Sequence, residues 1–167
     1  RRMLARGDQL TALYLLARTE ELRGNLTGAM HLYGQVTGGE YLVPAQVRLA
    51  HLLAEFGEGE QGLLNLQRLA ERYPEHEPSF VDAEASLLAS LDRGDEALAV
   101  YDEAIARWPD ARSMRFSRAY LLEEMDRVEE AVAAMEALVA DYPDSADALN
   151  ALGYTLADRT DRYREAG

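Results

Sequence analysis

Three histidines, several adjacent carboxylates and one run of arginines are the side chains here equipped to bind a metal, move a proton or grip an anion. His31, His51 and His76 fall in three separate contexts, with no metal-ligand spacing among them. His31 and His51 read as helix-surface or groove residues, and His76 lies in the linker "YPEHEPS". The pairs Glu123–Glu124 and Glu129–Glu130 are ordinary for exposed helix turns. Cysteine is absent, which removes thiolate nucleophiles, disulfides and Cys-based zinc sites together. No Gly-rich phosphate loop, G-x-S-x-G elbow or H-E-x-x-H pair occurs. The chain is therefore expected to be no enzyme, and to use no metal or cofactor. Arg112, Arg115 and Arg118 stand three apart along one helix flank. They are expected to pair with acidic neighbours such as Glu84 or Glu123; the alternative is an acidic partner.

Bulk composition narrows the partners. A formal net charge of -13 disfavours nucleic acid and anionic membrane surfaces, because phosphate recognition needs clustered Lys and Arg. That charge is spread over many surfaces and reads as a solvated exterior, the alternative being a field that steers a basic partner. With 48% hydrophobic and 28% charged residues over 167 positions, the chain has the content of one soluble globular domain with a real core. No apolar run approaches the roughly 20 residues that span a bilayer, so direct membrane insertion is not expected. The opening "RRMLARGDQL" is too short in apolar residues for a secretory signal. Both ends read as cut from a longer protein.

The elements that position these groups are set by a repeat. "RYP" at Arg72–Pro74, "RWP" at Arg107–Pro109 and "DYP" at Asp141–Pro143 put prolines 35 and then 34 residues apart. Small residues at Ala17, Ala50, Ala85, Ala119 and Gly153 keep the same period, as do Ala29, Gly62, Ala97, Ala131 and Ala166. Four positions after each of the first four of the second set stands a larger residue: Tyr33, Leu66, Tyr101, Met135. Three independent tracks with one period mark repeated structural units.

Each unit divides into two helices. Leu149, Leu152 and Leu156, or Leu49 and Leu53, give the helical spacing of the first. A turn is expected at Gly24, Gly57, Gly94 or Asp126–Arg127. The second helix reads "EALAVYDEAIARW" or "EEAVAAMEALVADY", strong helix formers throughout. Proline then stops the helix, and Asp110 and Asp144 are expected to cap the next one. The small residues are expected where two helices cross, and no strand pattern competes. The fold class is all-α.

This 34-residue helix-turn-helix, with its small, small, aromatic and proline positions, resembles the tetratricopeptide repeat. The likeness covers about 10–42, 43–77, 78–111 and 112–145, then a partial fifth unit over 146–167, so that 1–167 reads as one array. It implies a solenoid of antiparallel helix pairs wound into a right-handed superhelix, first helices lining a concave wall. Some positions depart from the family pattern. Arg115 and Arg118 occupy sites that are usually large and apolar, with Met114 and Phe116 expected to take over their packing. Gln46, Glu84 and Gly62 are weaker departures, and "GGEY" at Gly38–Tyr41 replaces the first closing proline with a looser bend.

The resemblance also implies a function: holding a protein or an extended peptide. Inward positions transferred from the family are Tyr14 and Arg18, Val47 and His51, Asp82 and Ser86, Phe116 and Tyr120, and Asn150 and Tyr154. Four are large aromatics, which supply binding anchors at low entropic cost, and the Asn150 amide suits a backbone amide of a ligand. The competing reading has these rings packed between neighbouring first helices. The basic clamp by which some family members hold a chaperone's C-terminal carboxylate is missing: its positions carry Tyr14, Arg18, Arg48, Ser79 and Ala83.

The terminal motif "ADALNALGYTLADRTDRYREA" further resembles the large tetratricopeptide lipoproteins of Gram-negative bacteria, among them the adaptor of a periplasmic carboxy-terminal processing protease. That likeness implies a periplasmic scaffold anchored to the outer membrane by lipid, with a protease or its substrates as partners. The alternatives are a cytoplasmic location, and a structural or oligomerisation module of an envelope assembly, with homo-oligomers in view.

Overall fold

The computed structural model describes the backbone of residues 6–165 and the side chains of residues 6–159. Every regular element among them is helical: α1 (Arg6–Leu22), α2 (Leu26–Gly34), α3 (Leu42–Glu55), α4 (Gly59–Arg72), α5 (Glu77–Ser90), α6 (Gly94–Arg107), α7 (Arg112–Glu124), α8 (Val128–Asp141) and α9 (Ala146–Glu165), with one 3-10 turn at Pro74–His76. The chain forms two compact units, one ending at Leu91 and the other beginning at Asp92. In the first, α1 packs on α2, α2 on α3, α3 on α4, and α5 on both α3 and α4. In the second, α7 packs on α6 and α8, and α8 on α9.

The small-residue tracks lie at the helix crossings. Ala17, Ala29, Ala50, Ala85, Ala97, Ala119 and Ala131 are all buried. The tightest crossing belongs to Gly62 of α4, where a Cβ would stand 2.8 Å from the Ala50 carbonyl oxygen of α3 and 3.1 Å from Leu87 Cδ2 of α5. Gly153 departs from the expectation: it is exposed, and a Cβ there would meet nothing within 4 Å. Ala166, its expected counterpart, lies outside the described residues. The larger track fills the space between helices, with Tyr33, Leu66, Tyr101 and Met135 all buried.

Within each unit a left-handed residue turns the chain from first to second helix. Gly24 and Gly57 do this at φ 80° and 81°, Asp92 and Asp126 at φ 59° and 63°. Gly94 is thus not the turn residue that was expected; it opens α6. There it admits Met125, whose Sδ would lie 2.7 Å from a Cβ. Gly59, 35 residues earlier, opens α4 in the same manner against Leu91. Aspartate tolerates the left-handed region through its short polar side chain, which is how two of the four turns dispense with glycine.

Capping also corrects the sequence reading. Neither Asp110 nor Asp144 supplies the cap. α7 begins after Ala111 with no side-chain cap, and at α9 the acceptor is Ser145 Oγ, 3.2 Å from the Ala148 amide. After α2, where closing proline is lacking, Gly39 adopts φ 76°. Gln46 reaches back from α3 and donates its amide to the carbonyls of Val36 (2.9 Å) and Tyr33 (3.3 Å). This explains a polar residue at a buried family position: it adds a second donor to the Tyr33 carbonyl and bonds the Val36 carbonyl in the bend after α2.

A polar network fastens the first hairpin to α3. Glu21 accepts from Arg48 Nε at 2.6 Å and from the Tyr33 hydroxyl at 2.8 Å. The Arg48 hydrogen bond holds the Glu21 carboxyl below its usual range, against the opposing effect of burial. Burial, and then the bond to Glu21, raise the Tyr33 hydroxyl above its ordinary value.

Candidate peptide-binding site

On the second unit, α7 and α9 run side by side with α8 behind them, leaving a trough of about 950 Å³ between the two first helices. On α7, Phe116, Tyr120 and Glu124 succeed one another at intervals of four, which stacks them on one face one turn apart. On α9, Asp147, Asn150 and Tyr154 follow the same logic at intervals of three and four. All six line the trough, together with Arg112, Ser113, Glu123 and Ala151.

The aromatic residues differ in how they are held. Phe116 is half-buried and packs on the core formed by Ala119, Met135, Leu138, Ala148 and Ala151. Tyr120 lies against it with ring centroids 6.5 Å apart and is 49% exposed. Tyr154 is 82% exposed, an unusual amount of open aromatic surface for a large side chain. One ring is thus anchored in the protein, and two are open to solvent.

The charges at the two ends are unequal. Near the N-terminus of α7, Arg112 donates to Ser145 Oγ at 2.7 Å and pairs with Asp147 at 3.5 Å. Its guanidinium also lies over the Tyr142 and Phe116 rings, 5.2 and 5.8 Å from their centroids. At the other end, Glu123 accepts from the buried Thr155 hydroxyl at 3.2 Å, and neither Glu123 nor Glu124 has a cation within ion-pair distance among the described residues. The arginine run is engaged with acids, but not with those expected. Arg115 pairs with Asp141 at 2.6 Å and Arg118 with Asp102 at 2.6 Å. Glu84 instead accepts from Gln67 at 2.6 Å. Met114 is buried beside them, in keeping with its expected packing role.

Of the ten groove positions read from the sequence, Phe116, Tyr120, Asn150 and Tyr154 come together here. The other six belong to the first unit. Tyr14 of α1 is committed to the core, stacked on Tyr41 at 4.4 Å and tilted against Tyr33 at 5.9 Å. Arg18 is exposed, Val47 and His51 of α3 are half-buried, and on α5 Asp82 is half-buried and Ser86 exposed. Burial, and then the nearby Arg48 charge, push the His51 imidazole below its ordinary value, so it stays neutral at pH 7. Sequence reasoning missed Arg112, Ser113, Glu123, Glu124, Asp147 and Ala151 as trough residues; each lies three or four positions from a residue it did pick, which is the signal that would have found them.

No three His, Asp or Glu side chains among the described residues are grouped to hold a metal ion. No helix among them is long and apolar enough to cross a membrane.

The chain belongs to the tetratricopeptide repeat family, whose pattern matches residues 83–134 and 116–167. Its architecture is that of the family's helical solenoids, a fold that builds protein–protein interaction scaffolds. It is 31% identical over 155 residues to the TPR repeat-containing protein PA4667 of Pseudomonas aeruginosa, a match covering 93% of this chain and 26% of the relative. The chain thus spans about a quarter of that relative's length. Among solved structures, the TPR-like repeats of a putative kinesin light chain from Podosopora anserina superpose with a TM-score of 0.66 at 16% identity, covering 96% of this chain and 92% of that one. MamA from Desulfovibrio magneticus RS-1 does so with a TM-score of 0.57 at 16% identity, covering 97% and 92%. At such identities the likeness is one of fold.

Proposed function

We propose that this chain is an adaptor segment that captures a protein or extended peptide in the trough between α7 and α9. The observation that carries this reading is the joint exposure of Tyr120 and Tyr154 above a fixed Phe116, with the Asn150 amide on the same wall. Exposed, preorganised aromatic rings beside a hydrogen-bonding amide are what a binding surface uses as anchors. The wider setting follows from resemblance: a periplasmic lipoprotein that brings an envelope carboxy-terminal processing protease and its substrates together. The terminal motif from Ala146 onward carries that resemblance. The test is recovery of partners from a bacterial envelope extract on the immobilised chain, comparing wild type with Tyr120→Ala/Tyr154→Ala. Both rings are exposed, so the fold is kept. Loss of a specific protein, identified as a protease or its substrate, is expected; unchanged recovery refutes the trough.

A second reading is favoured by α1, where Leu15, Leu16 and Leu22 are 54%, 53% and 84% exposed. Apolar surface of this kind supports self-association. A concentration-independent monomer mass in light scattering overturns that alternative.

A further inference from the structure

The trough's charges say what its occupant carries. Arg112 is already compensated by Asp147 and held over two rings. Glu123 and Glu124, at the other end of α7's exposed face, have no compensating cation among the described residues. Tyr120 stands one turn before Glu124, and one helical turn is about 5.4 Å. In an extended peptide, side chains two residues apart point the same way and lie about 6.6 Å apart. The two spacings correspond. An aromatic or large aliphatic side chain laid on Tyr120 and Tyr154 would therefore place the side chain two positions away beside the two carboxylates.

Resting on the trough as the binding surface, we propose that it selects extended peptides bearing a basic residue two positions from an aromatic or large aliphatic one. Cation and ring would then be read together, by Coulomb attraction at one end and apolar contact in the middle. The chain's strong negative charge, -13 overall, would favour the same class of partner at longer range.

The experiment is amide NMR titration of the 167-residue chain with ten-residue Ser/Gly peptides carrying Phe-Ser-Lys or Lys-Ser-Phe at the centre. Controls carry Phe-Ser-Glu and Gly-Ser-Lys. One unit charge about 6 Å from two carboxylates in a water-like medium is worth roughly ten-fold in binding, in favour of Lys and against Glu, so the Lys peptide should bind roughly a hundred-fold tighter than the Glu peptide at low salt. The margin shrinks to about a few-fold at roughly 0.5 M salt, because the screening length there is only about 4 Å. Shifted signals should cluster on Tyr120, Glu124, Asn150 and Tyr154, and the Gly-Ser-Lys control should bind several-fold more weakly. In Glu123→Gln/Glu124→Gln the preference for Lys over Glu should fall to within about two-fold, with the Phe contribution retained. Equal binding of Lys and Glu peptides, or a preference that survives the double variant, overturns the charge selection. If those peptides still shift the signals of α7 and α9, the trough reading stands without it. If no peptide shifts them, both fall.

Discussion

Gly62→Ala is the sharpest test of the packing. In a helix interior this change removes glycine's conformational entropy cost and is worth about 1 kcal/mol in favour of the folded state. At Gly62 the added Cβ would stand 2.8 Å from a backbone oxygen of α3, which cannot rotate away, and 3.1 Å from Leu87. Forcing atoms into a packed core costs about 1–3 kcal/mol, so a net loss of about 1 kcal/mol is expected. The comparison is Gly153→Ala, on the other small-residue track, where the Cβ meets nothing within 4 Å. There the propensity term acts alone, and a gain of up to about 1 kcal/mol is expected. For a chain of this size 1 kcal/mol moves Tm by roughly 2–4 °C. Thermal unfolding followed by circular dichroism should therefore separate the two variants by about 4–8 °C, on opposite sides of wild type. A Gly62→Ala variant as stable as wild type, or more so, would show that α3 and α4 can part at no cost, and the reasoning would fail.

Four further outcomes are expected. Ser145→Ala should destabilise the chain by about 1 kcal/mol in urea unfolding through loss of the α9 cap, whereas Asp144→Ala should change little. Tyr33→Phe, which removes the hydroxyl bonded to Glu21, should cost about 1 kcal/mol, read as a lower urea midpoint at unchanged slope. His51 is pushed below 6.5, so the unfolded chain takes up a proton that the folded chain resists. Stability should thus fall as pH drops through and below about 6.5, and His51→Leu should flatten that slope; Glu21, held below 4.5, adds a separate loss only under about pH 4.5. Tyr154→Ala should leave Tm within about 1 °C, since surface changes seldom exceed 0.5 kcal/mol, while weakening peptide binding several-fold.

The period was readable because crossings tolerate only small side chains and each repeat must cross at the same place. Ala17, Ala50, Ala85 and Ala119 therefore recur like marks on a ruler. The helix class followed from the same tracks. Turn chemistry was less legible, because two residue types solve the left-handed position: the eye goes to Gly94, while Asp92 turns the chain. Partner choice was least legible. Arg112, Arg115 and Arg118 sit on one flank, yet their partners Ser145, Asp141 and Asp102 are 33, 26 and 16 positions away, on three different elements. Register alone cannot rank such partners. Of the groove positions, Tyr14 shows the limit of family transfer. Its ring is drawn inward by Tyr41, a residue of the irregular bend that replaces the first proline.

Because α1, α2, α3 and α4 each lean chiefly on helices adjacent to them along the chain, burial can begin early in synthesis. Once α1 and α2 have left the ribosome they form a hairpin able to hide part of its oily surface before the helices that follow are made. Contacts this local favour quick folding. The same arrangement governs failure: a pulling motor, such as an unfoldase threading the chain by one end, would meet small successive resistances and strip it hairpin by hairpin.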